Sequence, residues 1–269
     1  MSSYLQKNHR TEKILEIAKE AGNAIMKVYE RDFEVKIKSD NSPLTNADLA
    51  SNQIICERLK QLDLNIPILS EESKKVNFSE RSKWKSYWLI DPLDGTKEFL
   101  KRNDEFTVNI ALIENQNPIF GVVYAPALDQ LYWGGVNFGS FQINKSIEKK
   151  LIIKKNNPSD PLRIVTSRSH PSEEIKKLLN MMKSYELVEI GSSLKFCFIA
   201  NSQADIYPRL GPTSEWDTAA GQAIAVSAGA KMMDIHNNPL TYNTKERLIN
   251  PHFIVANTTK NLNMILSLL

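Results

Sequence analysis

Cysteine is nearly absent. Cys56 and Cys197 are the only two in 269 residues, and each sits in an apolar, helix-like context. That excludes a disulfide framework and a cysteine-based zinc site, and both thiols read as small core residues. Histidine is also sparse, at four, so histidine-based zinc chemistry is not expected. No run approaches the roughly 20 apolar residues that span a bilayer. Positions 1–10 are polar, unlike a charged-then-apolar leader. A strong charge of one sign is missing too. The net charge is +3, with basic residues scattered apart from pairs such as Lys149-Lys150 and Lys154-Lys155. That argues against a nucleic-acid polymer as partner. A cytoplasmic, reduced protein is expected, and a peripheral place on the inner face of the cell membrane stays compatible with this reading.

The chain does contain ample material for a core. Hydrophobic residues make up 42% and charged ones 24%, an ordinary soluble balance for one large domain or two intimate halves. Ile14, Ile17, Ala18, Ala21, Ile25 and Val28 recur at helical spacing. A polar loop is expected over 36–43. Thr45 and Asp48 then read as a capping box before the stripe Leu49, Ile54, Ile55, Leu59 and Leu62. Strands follow at 66–69, 88–90, 106–113, 119–124, 131–133 and 141–143. Their close succession predicts an antiparallel meander. After a polar connector at 149–161 come strands at 163–166, 187–189, 205–207 and 253–255. Helices are expected at 172–182, 194–200, 216–228 and from 259. That alternation predicts an α/β second half, with a division into 1–146 and 147–269 inside one compact catalytic unit.

The most informative segment is Tyr87-Trp-Leu-Ile-Asp91-Pro-Leu-Asp94-Gly95-Thr96. An apolar strand delivers two carboxylates to a tight turn, where Pro92 restricts the backbone and Gly95 permits the bend. Two aspartates there repel each other unless a cation or proton intervenes, and an all-oxygen set suits Mg²⁺. Asp-Pro and Asp-Gly are also common turn dipeptides, so a plain loop accounts for this segment taken alone. Two more acidic ends change the balance: 66–72, closing on Glu71-Glu72, and 214–224, where Asp217 opens an Ala-rich helix. Together they have the makings of a two-metal site, with ions about 3.5–4 Å apart.

Glu71-Glu72, Asp91-Pro-Leu-Asp94-Gly-Thr96 and Trp216-Asp217 resemble, in order and interval, the metal signatures of the inositol monophosphatase-like phosphatases. These are magnesium-dependent, lithium-sensitive enzymes of layered αβαβα fold. Within the family, Lys97-Glu98-Phe99, Thr166-Ser-Arg-Ser169-His170, Gly191-Ser-Ser193-Leu-Lys195 and Tyr207-Pro-Arg209 are most similar to the bacterial 3′(2′),5′-bisphosphate nucleotidases linked to sulfate assimilation. The resemblance implies hydrolysis of 3′-phosphoadenosine 5′-phosphate to AMP and phosphate.

Carried over by matching position, Glu71, Asp91 and the Leu93 carbonyl hold one Mg²⁺. Asp91 bridges to a second, held also by Asp94 and Asp217. Thr96, oriented by Asp48, positions the attacking water with Glu71, and the Gly95 and Thr96 amides cradle the phosphate. Ser169, His170, Ser193, Lys195, Arg209 and Asp217 contact substrate, with Lys195 and Arg209 as candidates for the 5′-phosphate. A helix cap accounts for Asp48 without catalysis, and the two roles are compatible.

One rival is an inositol or sugar monophosphatase on the same metal site. A second is a haloacid dehalogenase-like phosphotransferase, whose Asp-x-Asp spacing is one residue shorter than here. A non-catalytic binder of phosphorylated ligands would need broken acidic ligands, and these are intact.

Overall fold

The computed structural model describes residues 9–31, 35–37, 43–154, 157, 159–168 and 172–269. Two β-sheets alternate with three helical layers. The first layer pairs α1 (His9–Tyr29) with α2 (Asn46–Leu62). Between them a short antiparallel hairpin, β1 (Val35–Ile37) and β2 (Pro43–Thr45), occupies part of the expected polar loop. Strands of three residues are too short to show a period.

Beneath that layer lies a seven-stranded sheet in the order β3-β4-β5-β6-β7-β8-β9. Its strands are Ile68–Ser70, Ser86–Asp94, Thr107–Glu114, Asn117–Ala125, Gln130–Gly135, Gly139–Asn144 and Ile147–Leu151. All neighbours are antiparallel except β3 and β4, which run parallel. The short helices α3 (Phe78–Arg81) and α4 (Thr96–Leu100) flank β4. β9 is a difference from the sequence reading. It falls beyond position 146 and partly in the expected connector, yet it pairs with β8 along five residues.

The second sheet is mixed, in the order β11-β10-β12-β14-β13. Its members in chain order are β10 (Leu162–Ser167), β11 (Tyr185–Ile190), β12 (Ile206–Arg209), β13 (Lys231–Asp234) and β14 (Phe253–Ala256). Helices α6 (Leu194–Ala200) and α7 (Ala219–Ala228) fill the middle layer, while α5 (Glu173–Met181) and α8 (Thr259–Leu266) cover the outer face.

Strand alternation shows why β4 is so firmly seated. Trp88 and Ile90 pack with Ile14, Ile17, Ile55 and Leu59 of the first helical layer. Tyr87 and Leu89 face the middle layer with Phe196, Ala220 and Ile224. A strand buried on both faces reads as a continuous apolar run, and burying each such large side chain contributes about 1.5–3 kcal/mol. The acidic motif therefore starts from a rigid base. In α2 the buried face is Ala47, Asp48, Ser51, Ile55 and Leu59. Leu49, expected in the stripe, is 42% exposed because it lies on the opposite side of the helix.

Candidate active site

β4 does not end in a turn after Asp91. The strand continues to Asp94, with a register shift against β5 between Asp91 and Asp94. This irregularity directs both carboxylates to one side, where simple alternation over three residues would oppose them. The Asp91 carboxylate accepts from the Leu93 amide at 3.0 Å, and Ser51 Oγ donates to the Pro92 carbonyl at 2.7 Å. The bend comes at Gly95, whose φ of +87° is left-handed. A Cβ there would also lie 3.1 Å from the Glu105 carbonyl and 3.2 Å from Ser192 Cβ. Both conformation and space therefore favour glycine.

Asp217 arrives from the other half. It does not lie within α7, which begins at Ala219. Its carboxylate turns back to accept from Thr213 Oγ1 at 2.7 Å and the Ser214 amide at 2.9 Å. The oxygens of Asp91, Asp94 and Asp217 converge within 4.8 Å of one another. Ser193 links the halves: its hydroxyl is 2.6 Å from Asp94 Oδ2, 2.7 Å from the Asp217 carbonyl, and accepts from Asn109 Nδ2 at 2.8 Å. Thr107 Oγ1 in turn donates to Asn109 Oδ1 at 3.0 Å.

The electrostatics of the cluster favour a proton or a cation among its carboxylates. Burial first, then the charges of Glu71, Asp94 and Asp217, holds the Asp91 carboxyl well above the usual carboxylate range. Burial and Asp94 push Asp217 up to about 7. Asp94 is raised by burial despite the opposing pull of Lys195. Unpaired buried carboxylates cost several kcal/mol each, so protons or a hard cation must compensate. An all-carboxylate set with a nearby backbone carbonyl fits magnesium and has no soft ligand for zinc.

Glu71 follows β3, tied by its amide to the Ile90 carbonyl at 3.2 Å. Its charge reaches both Asp91 and Asp217. At the start of α2 the expected capping box is present. Asp48 Oδ2 accepts from the Thr45 amide at 2.8 Å and its hydroxyl at 2.6 Å. The other oxygen, Oδ1, lies 3.5 Å from Thr96 Oγ1, which is 3.4 Å from the Leu93 carbonyl. The cap and the approach to Thr96 thus coexist in one buried carboxylate.

A cavity of about 140 Å³ opens beside Asp94 and Asp217. Lys195 and Arg209 line its wall with Ser193 and Tyr207. Lys195 is buried, and its ammonium donates to the Ser192 carbonyl at 2.6 Å and the Ile190 carbonyl at 3.4 Å. Burial lowers it to about 8, the nearby Arg209 pushes the same way, and Asp94 opposes. Arg209 spends one nitrogen on the Pro212 carbonyl at 2.6 Å, while its buried Nε has no protein partner. Ser169 and His170 lie outside the described residues. Sequence reasoning missed Asn109 and Ser51; for Asn109 an isolated polar residue within the apolar run 106–113 was the available signal.

The family model for the inositol monophosphatase family matches residues 7–268. The chain is 46% identical over 247 residues to the 3′(2′),5′-bisphosphate nucleotidase CysQ of Salmonella typhimurium, covering 91% of this chain and 98% of that one. It is 40% identical over 249 residues to the CysQ nucleotidase of Haemophilus influenzae, covering 92% and 93% respectively. Among solved structures, CysQ from Bacteroides thetaiotaomicron superposes with a TM-score of 0.83 at 38% identity, over 96% of this chain and 100% of that one. An αβαβα stack, carboxylates joined from both halves and a match over nearly the full length lead to one conclusion: the chain belongs to the inositol monophosphatase family.

Proposed function

We propose that this protein is a magnesium-dependent phosphatase that removes the 3′-phosphate from 3′-phosphoadenosine 5′-phosphate, releasing AMP and inorganic phosphate. The observation that carries this reading is the mixed charge of one cavity: carboxylates Asp94 and Asp217 and cations Lys195 and Arg209 all line it. The carboxylate cluster suits metal ions. Lys195, buried, and Arg209, half-buried with an Nε that has no hydrogen-bond partner, suit a second anionic group on the same substrate. High identity to curated bisphosphate nucleotidases supports the same substrate class.

On this reading Glu71, Asp91 and the Leu93 carbonyl would hold one ion, and Asp91, Asp94 and Asp217 would hold another. Magnesium, when bound, supplies a Lewis acid for the phosphoryl oxygens and hydroxide from water near neutral pH. Thr96 and Glu71 orient the attacking water, and Asp48 orients Thr96. The Gly95 and Thr96 amides would cradle the phosphate, and Arg209 and Lys195 would hold the 5′-phosphate so that the 3′-phosphate meets the carboxylates. Ser193 fixes Asp94. Lithium is inhibitory on this account because a single positive charge at one of these positions supports less charge stabilisation. Among the described residues no helix is long and apolar enough to cross a membrane.

An inositol or sugar monophosphatase would use the same carboxylates but leave Arg209 and Lys195 without a second phosphate to bind. Product analysis separates the readings. Incubation with 3′-phosphoadenosine 5′-phosphate and magnesium should yield AMP, and chelation should stop it. Formation of 3′-AMP, or no turnover, would overturn the assignment.

A further inference from the structure

The short connection at 101–106 between α4 and β5 is built unlike an ordinary surface loop. Arg102 and Asp104 both adopt left-handed backbone, at φ +53° and +67°. Such conformations cost non-glycine residues about 1–3 kcal/mol and persist where surrounding contacts impose them. Those contacts are present. Asp104 Oδ1 accepts from Tyr29 OH at 2.8 Å. Phe106 packs edge-on to Tyr29 and Phe99, with ring centroids 4.8 and 5.2 Å away. Glu105 is thereby held on a rigid base and turned inward, 9% exposed.

Glu105 points at the other half of the molecule. Its carboxylate accepts from the Gly191 amide at 2.8 Å. It also pairs in a fork with Arg168, Nε at 2.9 and 3.1 Å and a terminal nitrogen at 2.8 Å. The same Arg168 donates to the Glu189 carbonyl at 2.6 Å, so it clamps the C-terminal ends of β10 and β11 together. Gly191 is pressed against this hub: a Cβ there would meet the Glu98 side chain at 2.6 Å and the Glu105 carbonyl at 2.8 Å. Immediately beyond Gly191 come Ser192, at φ +47°, and Ser193. These supply the carbonyl that anchors Lys195 and the hydroxyl that anchors Asp94.

We propose that the Glu105–Arg168 pair is a positioning device for substrate selectivity: it sets the placement of the acidic cluster relative to Lys195 and Arg209, which receive the second phosphate. Neither residue lines the 140 Å³ cavity. They act through the 191–193 loop. A forked Arg–carboxylate pair fixes orientation as well as distance, and both ends are attached to different sheets. A substrate that engages both the carboxylates and the two cations feels any drift between them, whereas a small monoester bound only at the carboxylates does not. The proposal rests on the bisphosphatase reading above.

The test compares Glu105→Gln, Arg168→Met and the double variant with wild type, on 3′-phosphoadenosine 5′-phosphate and on p-nitrophenyl phosphate. Contacting pairs are strongly non-additive. The expected result is a KM for the bisphosphate raised about tenfold in each single variant and no further in the double. At saturating magnesium, kcat and turnover of p-nitrophenyl phosphate should stay within about twofold, inside the range of uncoupled surface changes. Melting temperatures check folding; Arg168→Met, at an exposed side chain, keeps the test open should Glu105→Gln unfold. Equal losses on both substrates, or additive losses in the double variant, would overturn the pair's role. Wild type with no preference for the bisphosphate would overturn the underlying reading and this proposal with it. A wild-type preference unchanged in every variant would overturn this proposal alone.

Discussion

Ser193 Oγ stands 2.6 Å from Asp94 Oδ2, so a hydroxyl from the second half of the chain orients a carboxylate from the first. Groups that orient metal ligands are worth about 10–100-fold in metal affinity or activity. Ser193→Ala should therefore raise the magnesium concentration needed for half-maximal activity by about 10–100-fold. A magnesium titration of initial rates checks this. An unchanged half-saturation would leave Ser193 as a packing residue.

Asp94→Asn should nearly abolish turnover while keeping the fold. Asp94 shares a 4.8 Å cluster with Asp91 and Asp217, so neutralising it removes repulsion. In chelator the variant should melt at the wild-type temperature or above it. Magnesium at 100 times its Kd stabilises a one-site protein by about 2.7 kcal/mol, and that gain should be lost in the variant. A variant that unfolds would make Asp94 a structural residue.

The acidic cluster also gives the metal-free protein a characteristic pH dependence. Asp217 is pushed up to about 7 from an ordinary value of 3.8. Asp91 and Asp94 are raised as well. Across that window the native state binds more protons than the unfolded state, so stability falls as pH rises. In chelator, denaturant midpoints should decline between pH 4 and about 7 on this account. Magnesium competes with those protons, so its stabilisation should grow over the same range. A metal-free stability that rises with pH throughout this range would contradict the electrostatic picture of the site.

Arg209→Ala should raise KM for 3′-phosphoadenosine 5′-phosphate by about 10–100-fold, the worth of a charge-assisted contact of 1.5–3 kcal/mol. The effect on 3′-AMP, which lacks a 5′-phosphate, should be small. Lys195→Ala should show the same substrate bias together with a lower melting temperature, because its buried ammonium also satisfies the Ser192 and Ile190 carbonyls. Equal effects on both substrates would remove these residues from 5′-phosphate recognition.

What the sequence made legible follows from how locally each feature is encoded. The run through Asp91 and Asp94 could be read because β4 is buried on both faces and its apolar stretch ends abruptly in carboxylates. The capping box at Thr45 and Asp48 spans three residues and appears as expected. β9 was read as connector because four of its five residues are exposed and three are charged. β13 has four residues, one of them fully buried, and carried no readable period. Asp217 matched the pattern of a helix-opening acid, yet its carboxylate bonds backwards to Thr213 and Ser214, a choice made by the chain before the helix. Arg168 and Glu105 are 63 positions apart, and no local pattern pairs them.

The measurement that tests the central claim most directly is kcat/KM for magnesium-dependent phosphate release from 3′-phosphoadenosine 5′-phosphate, beside AMP and inositol 1-phosphate. The account predicts a strong preference for the bisphosphate, because only that substrate brings one phosphate to the carboxylates Asp94 and Asp217 and another to Lys195 and Arg209 in the same cavity. Equal or better turnover of inositol 1-phosphate would preserve the metal site and contradict the proposed substrate.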